Sequence, residues 1–372
     1  MKAASYREAL PATWFFDPQQ YHREWRDIWC REWLCVGREE DWPAIGDFQR
    51  LDIGNQQIII TRAGDGALRA FHNTCRHRGS VLCETASGRF KNERIVCPYH
   101  AWTYQLDGEL ERAPRSTSAD GLRLKDFSLY GVALESWGGF VFVNLAAEPR
   151  SGLRDALAAE AGNVAAWPLD ELRRVHRTTH RLACNWKVFW ENYLECYHCP
   201  GVHPELCRLV PVYRTGFMEH ADAGLEPDPQ RPHAMLRPGA VTWSADGATD
   251  LPWFEGLPEA DAERGMTFAT FLPTMFLVAH VDYVRTVRLL PLGPEQTELT
   301  VDWHVHRNVV DLPQLDIDRL SAFASQVVTE DARVCELNQQ GLRCMRHERG
   351  VLLELEDSVF EFEQWVRDRL AA

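Results

Sequence analysis

A chain of 372 residues, 45% apolar and 25% charged, has room for about two domains, each with its own core. Its formal net charge of −14, with Lys and Arg dispersed, argues against nucleic acid or an anionic membrane as partner. No stretch approaches the ~20 apolar residues of a membrane span. The start, MKAASYREALPATW, has no apolar leader core, so a cytoplasmic location is expected.

In chain order, residues 1–40 are rich in aromatic and charged residues. Asp17 to Arg31 reads as a helix, because Tyr21, Trp25, Ile28 and Trp29 recur at three- and four-residue steps. From Asp41 the texture changes to short β-like runs broken by turns. Ile58-Ile59-Ile60 precedes Gly64-Asp65-Gly66, Ile95-Val96 leads into Cys97-Pro98, Asp107-Gly108 signals a hairpin, and Phe140 to Val143 closes the series. A small all-β domain is expected at 41–150, with 1–40 as a helical segment packing on a second domain at 151–372.

Residues 153–172 return to helical texture. Asn185 to Tyr197 lacks Gly and Pro and reads as a helix, with Glu191, Glu195 and His198 at i, i+4 and i+7 on one face. Pro200-Gly201 is the expected stop, leaving His203 in the following turn. Residues 221–260 hold six Pro among Gly and acidic residues, which suggests a functional lid or partly mobile loop, or else a solvated insertion without a role. Phe268 to Tyr283 is β-like. Leu299, Val301, Trp303 and Val305 alternate with polar residues as in a half-buried strand, and Leu320 to Gln340 reads as a helix with Gly341 as its stop.

Eleven cysteines, an odd count without a sign of export, point to reduced thiols, some of them ligands. Cys30, Cys35 and Cys184 are expected to be small buried residues, and Cys83 to be structural and unbridged.

Two constellations carry chemistry. In the first, Cys75-Arg76-His77 and Cys97-Pro98-Tyr99-His100 each end a β-like run at a turn. Two thiolates and two imidazoles suit zinc or a two-iron, two-sulfur cluster. Zinc favours like ligands grouped together. The mixed pairs here suit a cluster whose cysteines hold one iron and whose histidines hold the other. The second constellation is His198, His203 and an acid. In the stretch Thr329 to Glu336, Asp331 has Val327, Val328, Val334 and Cys335 at i±3 and i±4 and points inward, where a carboxylate needs a cation. Glu330, beside Gln326 and Arg333, sits nearer solvent. An inward Asp331 paired to an arginine is the plainer alternative.

Cys-x-His-Arg-Gly from Cys75, Cys-Pro-Tyr-His-Ala-Trp from Cys97 with trailing Thr103 to Gly108, and acid-x2-His-x4-His at Glu195, His198 and His203 resemble the alpha subunits of Rieske non-haem iron oxygenases, the ring-hydroxylating superfamily. The resemblance implies an α+β chain: a small all-β Rieske [2Fe-2S] domain plus a larger α+β catalytic domain whose antiparallel sheet is flanked by helices, of the helix-grip type. It implies a [2Fe-2S] cluster on Cys75, His77, Cys97 and His100, and mononuclear Fe(II) on His198, His203 and Asp331, with positions open for O2 and substrate. Electrons would come from NAD(P)H through a separate flavin/ferredoxin-type reductase, since no Gly-x-Gly-x2-Gly fingerprint opens a strand-helix unit here. The family's head-to-tail homotrimer, or a multiple of it, would let Glu195 bridge His198 to a Rieske histidine of the neighbouring subunit, completing the electron path. An acid that orients His198 alone is the plainer role.

Most family members carry Asp at that position. Glu195, within Glu-Cys-Tyr-His-Cys-Pro-Gly-Val-His-Pro, is similar to the quaternary-ammonium branch, the glycine betaine, proline betaine (stachydrine), carnitine and choline oxygenases. The activity implied is a monooxygenase that hydroxylates an N-methyl group, releasing formaldehyde. A methylated ammonium cannot be hydrogen-bonded and needs aromatic faces. Trp243, Trp253, Phe268 and Tyr283 are the candidate substrate contacts, with Phe254, Phe271 and Trp303 as further aromatics nearby in sequence. The alternatives are an aromatic ring-hydroxylating dioxygenase and a Rieske electron-transfer or redox-sensing protein without a working second site.

Overall fold

In the computed structural model, which describes residues 6–117 and 120–371, the chain packs into two units. One runs from Cys30 to Ala156, and the other joins the residues up to Trp29 with Leu157–Ala372. The first five residues, part of the stretch read as lacking a leader, lie outside the described residues.

The Cys30–Ala156 unit is all-β. Seven strands form one sheet in the order β2 (Leu34–Arg38), β11 (Phe140–Asn144), β10 (Gly131–Trp137), β5 (Leu68–His72), β4 (Gln56–Arg62), β3 (Asp47–Ile53) and β6 (Ser87–Arg89). A three-stranded sheet, β7 (Ile95–Val96), β8 (Thr103–Tyr104) and β9 (Leu110–Arg112), completes it. The boundary differs from the expected 41: β2 pairs with β11, Leu34 opposite Val143, so residues 30–40 belong to this unit. Asp107-Gly108 turns between β8 and β9. Gly108 is required there, since its φ is +90° and a Cβ would collide with the Phe71 ring.

In the other unit β1 (Arg7–Pro11) pairs with β17 (Arg349–Leu352). Asp17 caps α1 (Pro18–Glu24) by accepting from Gln19 N at 2.8 Å, and Trp25–Trp29 continue it as a π-helical turn. Helix α2 (Leu153–Ala161) straddles the division between the units. An antiparallel sheet follows in the order β12 (Leu172–Leu182), β16 (Gln296–His306), β15 (Val284–Gly293), β14 (Met275–Ala279) and β13 (Thr267–Phe271). Pairing sets the faces: Arg285 lies opposite Val278 and Trp303, and Val287 opposite Phe276 and Val301.

Those residues share the face that receives α3 (Trp186–Tyr193), whose Phe189 and Tyr193 stack on Phe276. Helix α7 (Ile317–Leu342) lies against α3, with Cys335 Sγ 3.9 Å from Val188 O, and α8 (Asp357–Ala371) sets Phe362 against Trp186 and Trp190. The short helices α4 (Cys199–Val202), α5 (Pro204–Leu209) and α6 (Glu259–Arg264) complete the unit.

Four further expectations change. Strand β16 is buried on both faces, because Asp302 is met by Arg177 at 2.7 Å and His304 by Thr286 at 3.0 Å. Helix α7 runs through Gly341 and is capped at Arg343. Within 221–260, Met235, Leu236, Thr242, Trp243 and Leu251 are buried, so the segment is not simply a solvated insertion, although none of 221–234 is buried. Thr242 Oγ1 donates to Asp282 at 2.7 Å, and Tyr283 Oη to Trp243 O at 3.0 Å. Fourth, Cys196 and Cys199 are joined by a disulfide rather than standing as reduced thiols. No helix among the described residues is long and apolar enough to cross a membrane.

Candidate metal centres

In the all-β unit, two loops repeat one geometry. Gly79 N donates to Cys75 O and Ala101 N to Cys97 O, both at 3.0 Å, while Cys75 N donates to Ser80 O and Cys97 N to Trp102 O at 2.8 Å. Gly79 and Ala101 both have positive φ, +77° and +55°. Each loop therefore folds back at the same offset from its cysteine. Cys75 and Cys97 are buried while His77 and His100 are exposed, and the two imidazoles meet edge to face at 4.8 Å. His77 also stacks on Trp102 at 4.9 Å.

Sulfur inside and imidazole outside fit a Rieske cluster, with one iron held at the surface by nitrogen. Tyr104, which the motif alone does not mark as functional, accepts from Arg76 N at 3.0 Å and lies 3.3 Å from Cys75 Sγ, to which it can donate. Hydrogen bonds to the sulfurs are among the levers on cluster potential.

In the other unit, the expected helix breaks before the second site. Helix α3 ends at Tyr193, Glu195 to Tyr197 lie outside any helix, and His198 caps α4. Local bonds explain the break: Glu195 accepts from His198 N at 3.1 Å, Cys199 N donates to Cys196 O at 3.0 Å, and the disulfide spans the same residues. Pro200 sits in the first turn of α4, where its missing N–H is not needed, so Pro200-Gly201 lie inside a helix rather than ending one. Glu191 stays on α3 away from the three converging donors. Burial pushes its carboxyl well above the usual range, and Glu363 adds to the shift.

His198, His203 and Asp331 converge, with one donor atom from each within 4.8 Å of the others. Both Nε2 atoms face Asp331 Oδ1, at 3.4 Å from His198 and 2.8 Å from His203, and lie 3.2 Å apart. Both Nδ1 atoms are met from behind by carboxylates at 2.7 Å, His198 by Glu195 and His203 by Glu330. Burial pulls His198 down, but Asp331 and Glu195 outweigh it and push it up to about 9. His203 is likewise raised against its burial, by Asp331 and then Glu330. Burial would raise Asp331, but the two imidazoles hold it below its usual value. Two nitrogens and one carboxylate oxygen facing one another, each imidazole anchored through its other nitrogen, suit a divalent cation with open positions.

Glu330 does sit nearer solvent than Asp331, as expected, but its Oε2 also holds His203 while Gln326 donates to Oε1 at 2.8 Å. Only its place next to Asp331 on one helix turn would have hinted at this.

A cavity opens on the three donors, walled by Tyr193, Tyr213, Trp243, Phe268, Phe276 and Arg285 among others. Of the four substrate candidates, Trp243 and Phe268 line it. Tyr283 is buried behind Trp243 and supports its backbone, and Trp253 is 47% exposed and outside the cavity wall. Phe254, Phe271 and Trp303 are buried but do not line it. Tyr193, Tyr213, Phe276 and Arg285 were not anticipated. Strand alternation, which sets Arg285 with Val287 and Leu289, was the available signal for the last.

Residues 32–128 match the Rieske [2Fe-2S] domain and residues 169–372 the ring hydroxylating alpha subunit (catalytic domain). The glycine betaine monooxygenase oxygenase subunit of Chromohalobacter salexigens is 33% identical, over 97% of this chain and 86% of that protein. The chloroplastic choline monooxygenase of Beta vulgaris is 28% identical, over 97% and 76% respectively. Among solved structures, the quaternary ammonium Rieske monooxygenase CntA in complex with L-carnitine shares the fold, with a TM-score of 0.72 and 22% identity over 98% of this chain and 96% of that one.

Proposed function

The chain belongs to the ring-hydroxylating alpha subunits of the Rieske non-haem iron oxygenases, and from that premise we propose that it is a monooxygenase acting on an N-methylated quaternary ammonium compound of the betaine type. The observation that carries this reading is the joining, in one cavity, of the His198, His203 and Asp331 donor set with the faces of Trp243, Phe268, Tyr193 and Phe276. Rings of this kind attract a methylated cation that no hydrogen bond can hold.

Cys75, Cys97, His77 and His100 would hold the [2Fe-2S] cluster, and His198, His203 and Asp331 the Fe(II). When bound, the cluster supplies single electrons, and the ferrous ion the activation of O2 for insertion into a C–H bond. The protein's own groups set the geometry. Glu195 and Glu330 accept hydrogen bonds from the two Nδ1–H groups, which leaves both Nε2 lone pairs for the cation that Asp331 would share. The aromatic walls exclude water and hold an N-methyl carbon toward the open side of the donor set. The overall reaction consumes O2, two electrons and two protons, converts one N–CH3 to N–CH2OH and releases water. The N–CH2OH product then breaks its C–N bond, giving the tertiary amine, formaldehyde and a proton.

Electrons come from NAD(P)H through a separate reductase, for which a cytoplasmic setting is suitable. In a head-to-tail trimer Glu195 would link His198 to a Rieske histidine of the next subunit. Formaldehyde release from a panel of methylated amines, with loaded protein and a competent reductase, tests the proposal. Release from at least one betaine-type amine is expected. No formaldehyde from any amine, with a diol formed from a ring substrate instead, would refute it.

A further inference from the structure

Arg285 lies in the middle of the five-stranded sheet, on the face that lines the cavity with His198, His203 and Asp331. It is 4% exposed, and its Cζ stands 5.2 Å from the centre of the Trp243 ring. Its Nε is buried without a partner, and among the described residues its guanidinium makes neither a hydrogen bond nor an ion pair. The other face of the sheet shows the contrast: Arg177 and Arg288 share Asp302, at 2.7 and 3.6 Å.

A guanidinium keeps its charge when buried, and a buried charge is unfavourable unless an anion meets it. Two acids line this cavity, and neither is that partner. Asp331 Oδ1 faces the two imidazoles, Glu195 holds His198, and among the described residues no ion pair joins either of them to Arg285. The Trp243 face interacts with the positive charge but leaves the fork of N–H donors unused.

We infer that Arg285 binds the carboxylate of the substrate, so that the cavity takes a zwitterion, an N-methylated amino acid, with its ammonium group against the aromatic walls. This rests on the N-methyl oxygenase reading above and narrows it. The planar donor fork matches a carboxylate in two parallel bonds. In glycine betaine one methylene separates carboxylate from ammonium, so one compact cavity serves both ends. Choline brings a second positive charge toward Arg285 with no anion to offset it, and an apolar ring leaves the donors unpaired.

Binding to the cluster- and iron-loaded protein, followed by calorimetry, tests this with three probes. They are glycine betaine, choline, and 3,3-dimethylbutanoate, in which carbon replaces the betaine nitrogen. The wild type is expected to bind both carboxylates and to prefer betaine to choline. Arg285→Gln should weaken both carboxylates by between about tenfold and about a hundredfold, leave choline equal or tighter, and Arg285→Lys should recover part of the loss. Unchanged betaine binding in Arg285→Gln, or equal loss of all three probes, overturns the assignment. Should Arg285→Gln not fold, a wild type that prefers choline to both carboxylates overturns it without any variant. Because binding is read without turnover, the two readings fail separately. Carboxylate-dependent binding without formaldehyde from any amine ends the demethylase proposal and keeps the role of Arg285. Betaine demethylation with unchanged KM in Arg285→Gln ends only the latter.

Discussion

His198 and His203 are each gripped at Nδ1 by a carboxylate at 2.7 Å, and the two carboxylates have different duties. Glu330 holds one imidazole and is itself held by Gln326 at 2.8 Å. Glu195 holds the other from the break between α3 and α4, where it is also proposed to carry electrons. Gln at either position keeps an acceptor and removes the charge, so both variants should retain iron less tightly, by about tenfold, in chelator competition. With iron restored to saturation, Glu330→Gln is expected to turn over normally and Glu195→Gln to remain nearly inactive with its cluster still reducible. Normal turnover in Glu195→Gln would count against the bridge. Asp331 was legible from its apolar neighbours Val327, Val328, Val334 and Cys335. Glu330 lies nearer solvent as expected, but its hold on His203 was not legible, because side-chain reach rather than helix face brings its Oε2 there.

Helix α3 is the element on which the catalytic unit hangs, and its anchor is a buried ion pair. Lys187 Nζ meets Glu24 Oε1 and Oε2 at 2.6 and 2.8 Å, with both side chains at 0% exposure. Asn185 Oδ1 and Trp14 O complete the ammonium's bonds, and Gln20 and the Trp186 indole donate to the carboxylate. The network ties α1 to α3 with every partner satisfied. Lys187→Met should therefore destabilise this unit by about 3–5 kcal/mol, since it leaves Glu24 buried and unpaired. Adding Glu24→Gln should recover part of that loss, both read from denaturant midpoints. Equal stability of the single variant and the wild type would show that the pair is dispensable. The sequence placed α3 correctly but carried it four residues too far, because propensity over Asn185 to Tyr197 favours helix. The bonds at Glu195, Cys196 and Cys199 that stop it are short-range but depend on side-chain chemistry rather than on periodicity.

At the scale of the whole molecule, two metal-binding units are encoded in one chain, and the electron path between them is proposed to run between chains. Mixing tests this. Chains carrying His100→Ala, without a competent cluster, and chains carrying His198→Ala, without bound iron, should each be inactive alone and regain turnover when co-assembled. Verified mixed oligomers that stay inactive would exclude transfer between subunits. The sequence by itself offered the pairs Cys75 and His77, Cys97 and His100, and His198 and His203 as expected ligands, because neighbours along the chain meet through one turn whatever surrounds it, while the joining of the first two pairs in one cluster was implied by the family resemblance. It also marked the all-β stretch, since strand alternation and turn residues are local properties. Only the tertiary structure joined β2 to β11, set Glu330 behind His203 and put Trp243 and Phe268, rather than Tyr283 and Trp253, on the cavity wall. It alone left Arg285 buried beside the cavity without an anion. Those outcomes depend on which faces of distant strands and helices meet, and a side chain's partners across a core are fixed by packing rather than by its neighbours in sequence.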